Sequence, residues 1–448
     1  MSLPWFDALH QRACDTDRPF VQAVEEVFTS VAGIADTHPE WKQAAIFERL
    51  LLPDRVIEFK VEWIDDHGQV QVNRGYRIQY NNSLGPYKGG LRFHPSVNAG
   101  ILKFLAFEQI FKNALTGLAL GGAKGGSDFD PKGKSDAEIM RFCQAFMRAL
   151  YPYIGPMIDV PAGDIGVGNR ELGYLFAEYK RLTHQYSGVL TGKPLLLGGS
   201  ILRPEATGYG VVYFAQHLLE DLFAETLTDK VCCVSGAGYV ALHTIEKLQQ
   251  VGALVISCSD SQGTLHDAQG IDLKLVKQLK AQAQPLTHYL HEHSHAQFIS
   301  SSQYPADGHA VWRLACDAVF PCATQNELTL ADAQALVKNG VRLVVEAANM
   351  PCTPEAIAYF LRQAIAFAPA KAANAGGVAI SQLEMAQNAS MIRWTYAEID
   401  QRLNEIMRHI YQQIKATAIA YHQPNNLVAG ANIAAFKRVV EAMLLEGC

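Results

Sequence analysis

The chain has 448 residues, of which 49% are hydrophobic and 18% are charged, and its formal net charge is -6. A chain of this length is too long for one hydrophobic core, so we expect at least two domains. The weak charge gives no electrostatic reason to expect a nucleic acid or an anionic membrane as a partner. No run of 18 uncharged apolar residues occurs, which predicts a soluble, cytoplasmic protein.

The first residues and the cysteines bear on compartment and on metal binding. Residues 1–18 lack a continuous apolar run and contain Asp7, Asp15 and Asp17, so we expect neither a signal peptide nor a transit peptide. The nine cysteines show no paired C-x-x-C spacing, and Cys232 and Cys233 lie in an apolar run typical of buried small residues. No metal site is predicted.

The first third of the chain opens with helical spacing, as in Val21, Val24 and Val27, and continues with strands. Residues 55–80 alternate around a DDHG turn at 65–68, which predicts a β-hairpin. Residues 85–95 read GPYKGGLRFHP, and we expect a glycine-rich, cationic loop that leads into a helix over 99–115.

Residues 121–126 read GGAKGG and hold Lys124 between two glycine pairs. Glycine costs backbone entropy, so four in six residues indicate a backbone that bends sharply or lies against a ligand. A desolvated lysine there can lose its proton near neutrality or hold a charge against a negative centre, and a solvated surface turn is the alternative. The spacing of a Walker A loop, with its Ser or Thr, is missing.

A third glycine-rich loop, residues 161–168, holds one carboxylate, Asp164. Such an aspartate is often only a turn former, but beside lysines it can transfer protons while staying ionised at rest. On the predicted helix, Gln109 and Lys112 are close neighbours. We therefore expect Lys88, Gln109, Lys112 and Lys124 to converge on a dianionic small molecule, the alternative being a solvated polar face.

Residues 191–207 read as a hinge, and a new domain is expected after it. A helix over 207–222 precedes an apolar strand over 230–235, and residues 236–241 then read GAGYVA at the start of a helix. This is G-x-G-x-x-A in its strand-turn-helix setting, with Asp260 at the end of a second strand. The pattern predicts a dinucleotide whose pyrophosphate lies over the helix N-terminus.

The 2′ position of the cofactor is open at this point. Asp260 favours NAD, because a carboxylate accepts from a ribose hydroxyl. Ser259 and Ser261, with lysines downstream, are suited to a phosphate and favour NADP. Those lysines are Lys274, Lys277 and Lys280.

The remaining chain alternates strands and helices, apart from a histidine-rich stretch at residues 284–309, which we expect to be a solvated loop without a metal. Strands over 317–320, 342–345 and 365–369 precede polar loop residues, where the carboxyl ends of parallel strands meet a ligand. Residues 381–448 are expected to be mostly helical, with a last helix, from about residue 430, that returns to the first domain.

Residues 85–95, 121–126, 161–164 and 430–434 together resemble the hexameric-type glutamate dehydrogenases of the Glu/Leu/Phe/Val dehydrogenase family, and the resemblance covers nearly the whole chain. It implies an α/β fold with an N-terminal α/β substrate-binding and oligomerisation domain at residues 1–200. A Rossmann-like dinucleotide-binding domain follows at 201–375. A helical connection and C-terminal return to the first domain follow at 376–448, and the two domains close over a cleft about the 191–207 hinge.

The resemblance also implies roles for single residues. Lys124 is catalytic, and Asp164 transfers protons. Gln109 and Lys112 bind the substrate α-carboxylate, while Lys88 and Ser381 hold the side-chain carboxylate. Gly163 and Val378 complete the expected substrate-binding set. The expected cofactor-binding residues are Thr207, Gly236, Ala237, Gly238, Tyr239, Val240, Ser259, Asp260, Ser261, Ala323, Thr324, Asn349 and Asn374.

The activity implied is the reversible oxidative deamination of L-glutamate to 2-oxoglutarate and ammonium, with hydride transfer to NADP, or else to NAD, in a homohexamer. Tyr239 and Ala347 depart from the family pattern, which usually has asparagine and glycine there, and both positions bear on cofactor binding. A branched-chain or aromatic amino-acid dehydrogenase is one alternative, although its apolar substrate has no use for Lys88. A catalytically silent sensor of the dinucleotide or the amino acid is the other.

Overall fold

The computed structural model describes residues 18–447. The expectations about a signal or transit peptide concern residues 1–18, which lie outside this range except for Arg18. The chain divides into two compact units. The first comprises Met1–Arg203, Val378–Ile399 and Asn432–Cys448, and the second comprises Pro204–Gly377 and Asp400–Ala431. The three-segment division at residues 200 and 375 stays a prediction.

A five-stranded mixed sheet forms the centre of the first unit, in the order β1-β2-β4-β3-β5. The β1–β2 pair is the predicted antiparallel hairpin, whose turn is closed by Asp65 Oδ1, which accepts from the amides of His67 and Gln69 at 2.9 Å. Strand β3 runs parallel to both β4 and β5, while β2 and β4 are antiparallel. The strands are β1 (Arg55–Ile64), β2 (Val70–Asn81), β3 (Tyr87–Phe93), β4 (Gly122–Ser127) and β5 (Asp159–Gly163).

The prediction of glycine-rich loops is wrong for most of residues 85–95 and 121–126, which contain β3 and most of β4. In the third stretch it is wrong only for residues 161–163, which end β5. Their glycines allow neighbouring backbones to approach more closely than side chains permit. A Cβ added at Gly89 on β3 would lie 1.6 Å from the carbonyl oxygen of Ala123 on β4. The glycines that indicate a turn in the sequence here serve close strand pairing.

Helices flank this sheet, and α5 and α6 bury aromatic and aliphatic side chains against it. Phe93 on β3 packs edge-on against Phe142 and Phe146 of α5, with ring centroids 5.1 and 5.2 Å apart. The helix predicted over 99–115 is confirmed as α4. The helices are α1 (Arg18–Ala35), α2 (Pro39–Gln43), α3 (Ile46–Leu50), α4 (Ala99–Leu115), α5 (Asp136–Leu150) and α6 (Asn169–Thr183).

The second unit contains a seven-stranded sheet in the order β12-β11-β10-β6-β7-β8-β9. Five strands, from β12 to β7, are parallel, and β8 and β9 extend the sheet in antiparallel fashion. Cys232 and Cys233 on β6 are buried as expected. The strands are β6 (Val231–Val234), β7 (Leu254–Asp260), β8 (Gly263–His266), β9 (Gln297–Ser300), β10 (Ala318–Phe320), β11 (Leu343–Val345) and β12 (Ala366–Ala368).

Helices connect the parallel strands, as a Rossmann-like fold requires. The connecting helices are α8 (Tyr239–Gln250), α10 (Leu330–Lys338) and α11 (Pro354–Arg362). The other helices of this part of the chain are α7 (Ala206–Phe223), which precedes β6, α9 (Leu273–Ala281), between β8 and β9, and α12 (Ala370–Ala373), which follows β12. The prediction of a solvated loop at 284–309 is wrong in part, because β9 lies within it and Leu286 and Tyr289 are buried. Pairing of β9 with β8 orders this stretch, and β9 is too short, at four residues, to show a clear alternation in the sequence.

The rest of the chain is helical, in α13 (Gly376–Ser390), α14 (Tyr396–Ala420) and α15 (Leu427–Glu446). The predicted return to the first domain is confirmed, because α15 packs on α1. The rings of Phe436 and Phe28 lie 6.1 Å apart, and Asn432 Nδ2 donates to Ser30 Oγ at 2.9 Å. Among the helices of residues 18–447, none has the length and apolar character that crossing a bilayer requires.

Candidate active site

Strands β3, β4 and β5 bring Lys124 and Asp164 together. Lys124 lies on β4, and Asp164 directly follows β5. The Lys124 Nζ and Asp164 Oδ2 atoms are 3.0 Å apart, with 10% and 22% of the two side chains exposed. The two residues singled out from separate glycine-rich stretches therefore form one ion pair that solvent still reaches.

Gly90 on β3 leaves the space in which this pair forms. A Cβ added at Gly90 would lie 2.9 Å from Asp164 Cβ and 3.3 Å from Lys124 Nζ. Any larger residue at position 90 would press on both side chains.

Arg92 is a member of this site that the sequence reasoning did not single out. Its Nε lies 3.0 Å from Asp164 Oδ2, so Asp164 receives donors from both Arg92 and Lys124. Burial acts to raise the pKa of Asp164, but the charges and hydrogen bonds of Lys124 and Arg92 outweigh it and lower the pKa. Asp164 is therefore a carboxylate at neutral pH.

Helix α4 presents Gln109 and Lys112, and Asn113 fastens the helix to the sheet. Asn113 Nδ2 donates to the carbonyl oxygens of Lys88 at 3.2 Å and Gly121 at 2.5 Å, while its Oδ1 accepts from Gln109 Nε2 at 2.7 Å. Burial, followed by the positive charge of Lys124, lowers the pKa of Lys112 to about 8. Lys112 is therefore mostly protonated at neutral pH.

Lys88 on β3 is buried, with 3% of its surface exposed, and it donates to Thr191 Oγ1 at 2.8 Å. Burial lowers the pKa of Lys88 well below the usual value for lysine, and the charges of Arg203 and Arg77 lower it further. Arg203 Nε is buried and has no hydrogen-bond partner among residues 19–447. This environment favours an anion beside Lys88, which would restore its charge.

One face of α13 carries Val378, Ser381 and Glu384, which follow one another at intervals of three residues. Glu384 accepts from the Gly192 amide and from Lys193 Nζ, both at 2.8 Å. Its charge acts on Lys88, raising the pKa of that lysine against the effect of burial. Ser381 is buried on this helix, one turn from Glu384. The sequence reasoning missed Glu384 and Lys193.

A buried ion pair beneath the site also escaped the sequence reasoning. Arg77 on β2 and Asp159 on β5 are fully buried, and Arg77 Nε lies 2.8 Å from Asp159 Oδ2. Arg77 also donates to the carbonyl oxygen of Gly89 at 3.1 Å. The pair ties β2, β3 and β5 together where they position Lys88. No local pattern signals it, because the two partners are 82 positions apart.

In the second unit, the predicted cofactor residues cluster at the carboxyl ends of the parallel strands. Gly236 follows β6 with φ of 84°, a conformation that favours glycine. Its amide donates to Ser259 Oγ at 2.8 Å, and its carbonyl oxygen accepts from the Ser259 amide at 3.2 Å. These two hydrogen bonds thus join the glycine turn to the end of β7.

The start of α8 fits a dinucleotide pyrophosphate. Gly238 is the N-cap, and a Cβ added there would meet nothing within 4 Å. Tyr239 follows with 78% of its surface exposed. Ala237, Val240 and Ser261 lie beside this turn or at the end of β7, and Thr207 lies in the first turn of α7. The free amides of such a helix start favour phosphate oxygens.

Asn374 provides a second test of fit. Its Nδ2 donates to Asn349 Oδ1 at 3.1 Å and to the Ala347 carbonyl oxygen at 3.2 Å. Its Oδ1 is buried and has no hydrogen-bond partner in the described part of the chain. An acceptor fixed in this way suits an amide donor of a ligand, so these residues fit a nicotinamide dinucleotide.

Glu327 is a further residue that the sequence reasoning missed. It accepts from Ser235 Oγ at 3.0 Å and from the amides of Ala323 at 2.9 Å and Thr324 at 3.3 Å. Burial raises the pKa of Glu327 to about 7, although these hydrogen bonds act to lower it. Glu327 therefore fixes the loop at Ala323 and Thr324. Because the backbone amides of both residues already donate to Glu327, they are not free to donate to a ligand.

The lysines considered for a 2′-phosphate differ in their placement. Lys280 Nζ lies 3.4 Å from Asp260 Oδ2, at the end of β7. Lys277 is paired with Glu246 at 2.5 Å. Lys280 is therefore better placed than Lys277 to act near Ser259 and Ser261.

Two family models match the chain. The model of the Glu/Leu/Phe/Val dehydrogenase dimerisation domain matches residues 53–181, and that of Glutamate/Leucine/Phenylalanine/Valine dehydrogenase matches residues 198–447. The chain belongs to the Glu/Leu/Phe/Val dehydrogenase family. The predictions of the family, of the two-domain α/β fold and of an amino-acid dehydrogenase are confirmed.

Relatives within the Glu/Leu/Phe/Val dehydrogenase family match the chain over nearly its whole length. The NADP-specific glutamate dehydrogenase of Helicobacter pylori is 53% identical, over 98% of both chains. The NAD(P)-specific glutamate dehydrogenase of Xylanibacter ruminicola is 51% identical, over 96% of this chain and 95% of the relative. The crystal structure of Plasmodium falciparum glutamate dehydrogenase is 47% identical with a TM-score of 0.94, and the match covers 99% of this chain and 94% of that one.

Proposed function

We propose that this chain is an NADP-dependent glutamate dehydrogenase that interconverts L-glutamate with 2-oxoglutarate and ammonium. The observation that carries the proposal is the Lys124–Asp164 ion pair at 3.0 Å, in a unit that also holds Lys88, Lys112 and Gln109. The names of the relatives support the substrate and the cofactor. Roles for the individual residues follow from their chemistry.

Two carboxylates distinguish glutamate from most other amino acids, and the first unit offers a lysine for each of them. Lys112 and Gln109 on α4 are assigned to the α-carboxylate, next to the reacting carbon. Lys88, with Ser381, is assigned to the side-chain carboxylate. A buried ammonium facing the alkyl side chain of leucine or valine would be unpaired and unfavourable by several kcal/mol. Lys88 therefore supports glutamate over branched-chain and aromatic substrates.

The chemistry needs a group that activates water at an iminium carbon and a group that moves protons on nitrogen. Lys124 holds a positive charge where negative charge develops on the attacking oxygen, and so stabilises that charge. Asp164, kept ionised by Lys124 and Arg92, accepts the proton and returns it to the leaving ammonia. NADP, when bound, supplies the hydride acceptor.

For the cofactor, we assign the pyrophosphate to residues 236–240 at the start of α8 and the nicotinamide amide to Asn374, with Asn349 beside it. Thr207, Ala323 and Thr324 complete the proposed set. Ser259 and Ser261 are assigned to the 2′-phosphate, with Lys280 supplying charge. The Asp260 carboxylate would repel a phosphate, but the positive charge of Lys280, which is close to Asp260, offsets this repulsion. NAD use remains the alternative outcome of the assay below.

We further propose a homohexamer in the cytoplasm, as the family resemblance implies. Sedimentation velocity measures the number of subunits directly. No specific observation favours the catalytically silent sensor. A sensor needs neither an activated water nor a proton carrier, so it would have no use for the Lys124–Asp164 pair.

The test is the initial rate of NADPH and of NADH oxidation with 2-oxoglutarate and ammonium, with 4-methyl-2-oxopentanoate as the control acid. Turnover with 2-oxoglutarate and NADPH alone is the expected result. Faster turnover with the apolar acid would overturn the assignment of Lys88. Absence of turnover, combined with a ligand-dependent rise in unfolding temperature, would establish the sensor.

A further inference from the structure

The histidine-rich stretch at residues 284–309 plays no part in the proposed reaction, and the structure orders it against the edge of the sheet in the second unit. Asp267 directly follows β8, and His295 lies two positions before β9. Because β8 and β9 are antiparallel, the pairing of His266 with Gln297 brings these two strand ends together. His293 approaches from the preceding turn.

The ligand atoms of these side chains are close to one another. Asp267 Oδ1 lies 3.0 Å from His295 Nε2, and one atom from each of Asp267, His293 and His295 lies within 4.8 Å of the others. A tetrahedral zinc ion with bonds of about 2.0–2.1 Å places its ligand atoms about 3.3 Å apart. The distance between Asp267 and His295 is near that spacing, and the half-buried His293 side chain completes the group within 4.8 Å.

The carboxylate is held as a metal ligand would be. The Asp267 side chain is 1% exposed, accepts from the Gln269 amide at 2.9 Å on Oδ1 and accepts from Tyr289 Oη at 3.0 Å on Oδ2. The carboxylate is thus fixed in its orientation before any ion binds.

The histidines are also positioned by their surroundings. The His293 ring stacks on Tyr289 with centroids 4.5 Å apart, and His293 Nε2 lies 3.4 Å from Asp272 Oδ2. A carboxylate behind a ring nitrogen is the usual support of a metal-binding histidine. The His295 side chain is 40% exposed, which leaves an open side for entry of an ion and for a water ligand.

We propose that Asp267, His293 and His295 form a binding site for a divalent transition metal of the zinc type. Two imidazoles and one carboxylate suit Zn²⁺, Co²⁺ or Ni²⁺, whereas Mg²⁺ and Ca²⁺ prefer oxygen ligands alone. The bound ion joins the end of β8 to the start of β9 and so stabilises the second unit. The site is separate from the Lys124–Asp164 pair and is no part of the proposed reaction.

The test uses the full-length protein, stripped of metal with a chelator and titrated with ZnSO₄ by calorimetry and with CoCl₂ by visible absorption. Two double variants are compared with the wild type: H293A/H295A removes two ligands, and H288A/H291A removes two histidines of the same stretch that stack on each other at 5.2 Å. We expect one equivalent of zinc per subunit in the wild type and the control, and at least tenfold weaker binding in H293A/H295A. Zinc should raise the unfolding temperature of the wild type and of H288A/H291A, but not that of H293A/H295A.

His295→Ala alone, at an exposed position, provides a second variant that keeps the buried carboxylate and should weaken zinc binding at least tenfold. Retained NADPH turnover in every variant shows that each is folded. The proposal is overturned if the wild type shows no saturable zinc binding. It is equally overturned if both double variants bind zinc as the wild type does, because the ion would then lie elsewhere. It is also overturned if both variants lose zinc binding together, because the imidazoles of the stretch would then bind the ion non-specifically.

Discussion

Replacement of Lys88 by methionine tests the assignment of the side-chain carboxylate. Methionine keeps most of the volume and removes the ammonium, which is 3% exposed and bonded to Thr191. Loss of one partner of a buried, hydrogen-bonded charge pair costs about 2–5 kcal/mol. At about 1.4 kcal/mol per factor of ten, kcat/KM for 2-oxoglutarate should fall by roughly 30-fold to several thousand-fold.

The same substitution should leave 2-oxopentanoate unharmed or improved. That acid lacks the second carboxylate, and Lys88→Met removes a buried charge that it cannot pair. The assay is the initial rate of NADPH oxidation at saturating ammonium with each acid in turn. Lys60→Met is the matched control, because the Lys60 side chain is 63% exposed on β1 and pairs with the exposed Glu62. The control should change neither rate.

The ratio of the two kcat/KM values is the decisive quantity. A fall in that ratio by about 30-fold or more agrees with the charge-pair estimate. Equal losses on both acids would refute the reasoning, because they would show that Lys88 supports the fold or the α-carboxylate.

Three further predictions follow from the same geometry. Lys124→Met should lower kcat at least a thousandfold while the NADPH dissociation constant, measured by fluorescence, stays within threefold of wild type; a near-normal rate would remove Lys124 from the mechanism. Arg92→Leu should raise the pKa of Asp164 and shift the acid limb of the kcat/KM profile to higher pH, and an unmoved limb would exclude Arg92 as its support. Because the pKa of Glu327 is raised to about 7, its contribution to stability is present below about pH 4.5 and is lost as pH rises through 7. Glu327→Gln should reduce the pH-dependent change in the free energy of unfolding by on the order of 1–3 kcal/mol, measured by urea unfolding of the cofactor-free protein. A pH profile of the variant that runs parallel to that of the wild type would contradict this prediction.

Elements with a regular apolar period could be predicted from the sequence. The hairpin of β1 and β2 follows from alternation, and α4 begins and ends at the predicted residues because its apolar spacing is helical and Asn98 caps it. Strands β3, β4 and β5 could not be predicted, since their glycines signal turns. In the structure those glycines permit contact between backbones, which is a property of the whole sheet.

The candidate site divides in the same way. Lys124 and Asp164 stand out because each is a lone charge among glycines. Arg92 and Arg77 give no such signal, because their partners Asp164 and Asp159 are distant in the chain. The parallel pairing of β3 with β5 brings Arg92 close to Asp164, whereas Arg77 lies on β2 and meets Asp159 only because the whole sheet assembles. The histidine-rich stretch likewise depends on pairing of β9 with β8, so neither its order nor its ligand geometry could be predicted from spacing.

The central claim is that the Lys124–Asp164 pair carries out the chemistry, and Asp164→Asn tests it most directly. The amide keeps the shape of the side chain and can still accept from Lys124 and Arg92, but it cannot take up a proton. The measurement is kcat with 2-oxoglutarate, ammonium and NADPH, together with the NADPH dissociation constant of the same preparation. We predict a loss of at least a thousandfold in kcat with unchanged NADPH binding. Activity within tenfold of wild type would contradict the account and assign the proton transfer to another group.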